Sequence, residues 1–157
     1  YMKRIIEILS ILLIMVTAPG CINDEVEPVW SLQTGDRLPD FEITLDDGSS
    51  VSTEMLKGRK SVIVFFSTGC GDCRRELPVV QDYYDECKKR DSDCFFVCIS
   101  REEGEASVKA YWEENGFTMP YSAQTDRSVY NLFASSGIPR RYEADENLVI
   151  THVAEGY

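Results

Sequence analysis

Two unbroken apolar runs organise the chain: "SVIVFF" at 61–66 and "CFFVCIS" at 94–100, each bounded by polar residues. Such runs, without alternation, mark strands buried on both faces. After the first run the period changes. Leu77, Val80, Tyr84 and Cys87 recur at three- and four-residue spacing, so residues 71–89 are predicted as a helix. Pro78 lies inside it and predicts a kink, because proline lacks the amide hydrogen its turn would use. "EGEASVKAYWEENG" predicts a second helix ended by Gly116, and "SVYNLFASSG" a shorter one ended by Gly137. "FEITL" reads as a short strand, "DDGSS" as a turn, and "VSTEMLKG" as a strand end with one helical turn stopped by Gly58. "RYEAD" and "LVITHV" close the pattern as a hairpin turning at "DEN". Strands alternating with helices predict an α/β sheet with helices packed on it.

The first residues follow a different pattern. Lys3 and Arg4 precede an apolar run that ends near Val16, followed by small residues and Cys21. A bilayer span needs ~20 apolar residues, so the run is too short to cross and reads as a secretory signal. It resembles a bacterial lipoprotein signal, with Cys21 as the lipid-bearing residue. Gly20 fits that pattern, whereas Ala18 and Pro19 depart from it and Glu7 interrupts the apolar run. The expected organisation is a signal segment over 1–21, an acidic tether over 22–34 and one domain over 35–157, held outside the cytoplasm.

Composition narrows the partners. The net charge is −11 and there is no Lys/Arg-rich run, which excludes the electrostatic footprint of a nucleic-acid binder. Six cysteines are many for a reducing cytosol, yet too irregular for a small disulfide scaffold.

Cys70 and Cys73, in "STGCGDCRRELP", carry the candidate chemistry. The spacing alone fits a redox pair, half of a metal site or a structural disulfide. Their place argues further: the carboxyl end of a buried strand, at the entrance to a helix, is where reactive sites of open α/β sheets gather. Free amide hydrogens and the positive helix end favour a thiolate at Cys70. Arg74 and Arg75 push the same way and Asp72 opposes them. Two intervening residues bring Cys73 round the first turn, so Cys70 can attack a disulfide and Cys73 can resolve the mixed disulfide. Gly71 removes bulk beside the exposed sulfur.

With that context the sequence resembles the thioredoxin superfamily, and within it the extracytoplasmic TlpA/ResA-like thiol–disulfide oxidoreductases of the redoxin-like group. The resemblance runs from about Gly35 to Tyr157. It is carried by "GDRLPDFEITLDDGSSVSTEMLKGRKSVIVFFSTGCGDCRRELP", by "CFFVCIS" with the following helix and "TMPYSAQTD", and by "GIPRRYEADENLVITHVAEGY". It implies a thioredoxin-like fold: a central mixed β-sheet flanked by helices, with an N-terminal β extension and a βα insertion. The sequence stops where the family usually adds a final helix, either because the domain is naturally short or because the sequence is truncated, and one sheet face is then expected to be thinly covered. The resemblance also implies a cis proline at Pro139 facing the cysteines, with the backbone at Ile138 pairing an extended substrate. Gly69 stands where the family usually has an aromatic residue, which widens the groove. Val64 replaces the buried acid of ordinary thioredoxins, with Glu76 the nearest substitute. The implied activity is disulfide exchange with exported protein thiols, as a reductant fed by a membrane electron donor, with no cofactor beyond the dithiol and no bound metal.

The alternative is a thioredoxin-like metal module using Cys70, Cys73 and His152, since thiolates suit Cu(I) and Zn(II). No second CxxC completes a zinc site. A peroxidase of the related branch needs Thr three residues ahead of its nucleophile, where Ser67 stands. Cys98 is expected to be a buried apolar residue and His152 a structural or exposed one. Cys87 and Cys94 are left as either free thiols or a bridge.

Overall fold

A computed structural model describes residues 28–156. The signal-like segment, Cys21 and the first part of the acidic stretch lie outside the described residues. A small antiparallel hairpin comes first, β1 (Glu42–Thr44) and β2 (Ser50–Ser52), followed by a single 3₁₀ turn at Thr53–Leu56. The main sheet holds β3 (Ser61–Phe66), β4 (Phe95–Ser100), β5 (Tyr121–Ser122), β6 (Arg140–Ala144) and β7 (Ile150–Glu155), in the order β5-β4-β3-β6-β7. Helix α1 (Gly71–Arg90) joins β3 to β4, and α2 (Glu105–Asn115) joins β4 to β5. β3, β4 and β5 are parallel, whereas β6 and β7 run antiparallel to their neighbours, so the sheet is mixed.

The unbroken apolar runs have a direct reason. In a strand successive side chains face opposite ways. Val62, Val64 and Phe66 pack with Cys73, Leu77, Val80, Val108 and Trp112 under the two helices. Ile63 and Phe65 pack with Phe41, Tyr130, Phe133, Tyr142 and Ile150 on the other face. Both faces are covered, so both select apolar residues, with serine only at a strand end (Ser61 and Ser100). Strand β6 shows the opposite case, alternating buried and half-buried positions.

α1 runs continuously through Pro78. It buries Cys73, Leu77 and Val80, and its last turn carries Lys88, Lys89 and Arg90, which complement the negative helix end. α2 closes on Gly116 at φ 67°, a left-handed conformation that glycine adopts without strain.

Two expectations change. The helix over 128–137 shrinks to a 3₁₀ turn at Tyr130–Leu132. Beyond it the backbone is drawn into a bridge between Ala134 and Ser31, and Ser135 donates its amide to the Trp30 carbonyl at 2.9 Å. Those bonds compete with helical ones. The same contacts bring the chain onto the domain before Gly35: Leu32 donates to the Phe133 carbonyl at 2.8 Å and packs against the core.

Candidate redox site

β3 ends at Phe66, and the turn Ser67-Thr68-Gly69 delivers Cys70 to the N-terminus of α1. Cys70 is the capping residue. Its amide donates to the Ser67 carbonyl at 3.2 Å, and its sulfur accepts the Cys73 amide at 3.3 Å. A cap oxygen usually does this work; here a cysteine sulfur does it, so the helix end that stabilises an anion is aimed at Cys70. Cys70 is half-buried and Cys73 is fully buried.

The asymmetry has an electrostatic consequence. Burial, with the hydrogen-bonded Cys70 sulfur adding to it, pushes the Cys73 thiol up to about 12, while the Ser67 backbone and Arg101 pull weakly the other way. Nothing acidic underlies the pair: Val64 is buried in the same cluster as Cys73. Glu76 is half-buried on α1, beside Val64 and Pro139 in a narrow cleft.

Opposite the cysteines, the Ile138–Pro139 peptide bond is cis. The Ile138 carbonyl lies 3.8 Å from the Cys70 sulfur, and Pro139 is buried beside it. Ile138 touches the cores on both sheet faces, which anchors the loop. Gly69 is exposed, and an added Cβ there would meet only the Ser67 hydroxyl at 3.6 Å, so the groove is open on that side.

The charged neighbours are engaged with one another rather than with sulfur. Arg75 pairs with Asp72, one turn apart on the exposed face of α1. Arg74 donates from Nε to the Thr68 carbonyl at 2.5 Å and lies over the Tyr111 ring at 6.0 Å. Glu103, which sequence reasoning missed, completes the turn: its Oε2 accepts the Thr68 amide at 2.7 Å and its Oε1 accepts the Thr68 hydroxyl.

His152 is exposed on β7 opposite Glu143, and Glu143 pairs with Val62 near the start of β3. Four strand residues separate Val62 from Phe66, about 13 Å at ~3.3 Å per residue. The sheet register thus holds His152 at the far end from the cysteines, and a Cys70–Cys73–His152 ligand set does not assemble. Among the described residues no three His, Cys, Asp or Glu side chains converge as a metal-binding group.

Comparison with known proteins agrees with this geometry. The Redoxin family model matches residues 33–154. The thiol–disulfide oxidoreductase ResA of Oceanobacillus iheyensis is 28% identical over 153 residues, covering 94% of this chain and 79% of the relative. ResA of Bacillus subtilis is 24% identical over 149 residues, covering 94% and 82%. Among solved structures, the thioredoxin domain of a thiol–disulfide oxidoreductase from Bacteroides vulgatus superposes with a TM-score of 0.69 at 25% identity, covering 81% of this chain and 91% of that one.

Proposed function

This chain belongs to the Redoxin family and is a thioredoxin-like thiol–disulfide oxidoreductase, and we propose that it reduces disulfides of exported proteins through Cys70 as nucleophile and Cys73 as resolving residue. The observation that carries the reading is the pairing of a half-exposed Cys70 sulfur, capped by the Cys73 amide at 3.3 Å, with a Cys73 that has no exposure.

The Cys70 thiolate attacks one sulfur of a substrate disulfide and the other substrate sulfur leaves as a thiolate, which takes a proton. Cys73 then loses its proton to solvent, attacks the Cys70 sulfur and releases the second substrate thiolate. Two electrons and two protons pass to the substrate, and a membrane dithiol donor restores the pair. The backbone at Ile138 pairs with an extended substrate peptide, and Pro139 shields the sulfur from the side. The open groove at Gly69 admits a bulky residue next to the substrate cysteine.

The buried partner supports a direction. Strong oxidants owe their potential to a stabilised reduced form. Here burial penalises the Cys73 thiolate and Val64 offers it no proton relay, which supports a reductant. The signal-like start supports export, with Cys21 as lipid anchor to a bacterial envelope membrane.

The test is the reduction potential of the Cys70–Cys73 couple, equilibrated against defined dithiol/disulfide ratios and read by alkylation mass. A value near the ~−270 mV of thioredoxin is expected; one near the ~−120 mV of strong oxidants reverses the direction. No reversible two-electron couple at these residues would remove the reading.

A further inference from the structure

A cleft of about 450 Å³ lies at the opposite end of α1 from Cys70 and Cys73. It is lined by Tyr83, Cys87 and Arg90 of the helix, by Cys94, and by Ser61 and Glu143 at the near edge of the sheet. Cys87 and Cys94 both stand as free thiols in it. Asp91 ties their backbones together, donating its amide to the Cys87 carbonyl at 2.8 Å and accepting the Cys94 amide at 3.2 Å. Lys88 adds a third tie, from Nζ to the Cys94 carbonyl at 3.0 Å. Cys94 belongs to the apolar cluster under the helices, and Cys87 packs against that same cluster.

We propose that Cys87 and Cys94 form a second thiol–disulfide couple, in which the half-exposed Cys87 reacts with external disulfides and the buried Cys94 resolves. The arrangement repeats the logic of Cys70 and Cys73: one sulfur that solvent reaches and one that it does not. The Cys94 thiol is raised to about 11, first by burial and next by the charge of Cys87, with Lys88 and Arg59 opposing. Both residues line the same cleft, and the backbone bonds through Asp91 hold them at its one end.

In the reaction the Cys87 thiolate attacks one sulfur of an organic disulfide and expels the other as a thiolate. Cys94 gives its proton to solvent, attacks the Cys87 sulfur and expels the second thiolate. The pair loses two electrons and two protons, and the organic disulfide gains both as two thiols. The bond formed staples the last turn of α1 to the start of β4. Cys73 and Cys87 are separated by 14 helical residues, about 21 Å at ~1.5 Å per residue, so the two couples exchange electrons only through external disulfides. Cys87 lies at the C-terminal end of α1, away from the helix N-terminus that Cys70 caps, and its oxidation is expected to be slower than that of Cys70.

The experiment treats the full chain with oxidised glutathione, quenches with acid, alkylates after denaturation and maps the peptides by mass. The expected result is a Cys87–Cys94 linked peptide, loss of alkylation at both residues, formation slower than that of the Cys70–Cys73 link, and reversal by dithiothreitol. The link also forms in a Cys70→Ser/Cys73→Ala variant, and there the oxidised sample melts at a higher temperature than the reduced one. Cys87→Ser, on the partly exposed side, abolishes the link and that shift and leaves exchange at Cys70–Cys73 unchanged. Full alkylation of Cys94 in the oxidised sample overturns the proposal, whether Cys87 is free or carries glutathione alone. A link from Cys94 to any other cysteine overturns it equally.

Discussion

Glu103 holds Thr68 by both of its polar hydrogens, the amide at 2.7 Å and the hydroxyl, across 35 residues of sequence. With Arg74 on the Thr68 carbonyl, every polar group of the residue two places ahead of Cys70 is engaged. Burial alone would raise the Glu103 carboxyl, but bonds from Ser107 and Thr68 outweigh it and hold it below the ordinary 4.5. A carboxyl depressed in the folded state contributes stability that is present above its unfolded pKa and lost as pH falls through the folded one. Glu103→Gln keeps one oxygen for the Thr68 amide but removes the charge that strengthens the bonds from Thr68 and Ser107, at a cost of about 1 kcal/mol. Urea unfolding at pH 7 is expected to show that loss, with a smaller difference from wild type at acid pH, once the native carboxyl is itself protonated. An equal difference at both pH values would show that the charge does not matter. Exchange at Cys70 is expected to slow as well, because the turn that aims it loosens.

Gly156 touches the other wall of the site. Its amide donates to the Pro139 carbonyl at 2.9 Å, and a Cβ built on it would stand 2.5 Å from the Pro139 ring. No real Cβ tolerates that approach, so Gly156→Ala must displace either the end of β7 or the proline that faces Cys70. The expected outcome is at least tenfold lower kcat/KM for a peptide disulfide, about 1.4 kcal/mol of transition-state stabilisation. Alanine at exposed Gly69, by contrast, meets only ordinary contacts and is expected to leave the rate within twofold. If Gly156→Ala is as active as wild type, Pro139 does not set the geometry of attack.

Much of this was legible in the chain, for reasons that differ from element to element. The two apolar runs announced β3 and β4 because burial on both faces leaves no choice of residue. The Cys70-x-x-Cys73 spacing gave its meaning only together with the strand before it and the helix after it. The cis bond at Pro139 came from family resemblance, since spacing carries no trace of it. Glu103 was illegible: its partner is 35 residues away, and an acidic pair after a strand looks like solvated surface. Arg140 was no more legible, since nothing in the sequence marks a charged strand residue that the fold buries. The helix expected at 128–137 failed because the N-terminal segment takes the backbone bonds it needed.

Arg140 is 5% exposed and supports the loop behind Pro139. Its guanidinium donates to Glu155 at 2.5 Å, to the Ser136 carbonyl at 3.0 Å and to the Gly137 carbonyl at 3.5 Å. Gly137 keeps the Tyr130 hydroxyl at 2.7 Å if the arginine is lost, whereas Ser136 loses its side-chain donor. Arg140→Met is therefore expected to cost about 3 kcal/mol, from a broken pair and a weakened loop. Glu155 is 61% exposed. Water replaces it in Glu155→Gln, at a cost of about 1 kcal/mol or less. Denaturant unfolding of the two variants reads the ratio. Equal losses would mean that the ion pair, and not the carbonyl contacts, carries the stabilisation.

Cys73 is expected to set the pH dependence of resolution. Its thiol lies near 12 against an ordinary 9.0, chiefly through burial. The attacking species is the thiolate, so its population grows about tenfold per pH unit from neutrality to pH 10. When Cys70 is tied up in a mixed disulfide its charge no longer contributes, but the burial remains. The resolving step, followed by rapid acid quench of the mixed disulfide, is thus expected to accelerate through pH 9 without levelling off. The same shift weakens the fold in alkali. A group whose pKa is raised by folding contributes its stability fully below the unfolded value of 9.0 and loses it as pH climbs toward about 12. Cys73→Ala is expected to flatten that alkaline decline. A resolution rate that levels off near pH 9 would mean that Cys73 becomes solvated once Cys70 is engaged, and that the buried thiol of the resting enzyme is not the one that resolves.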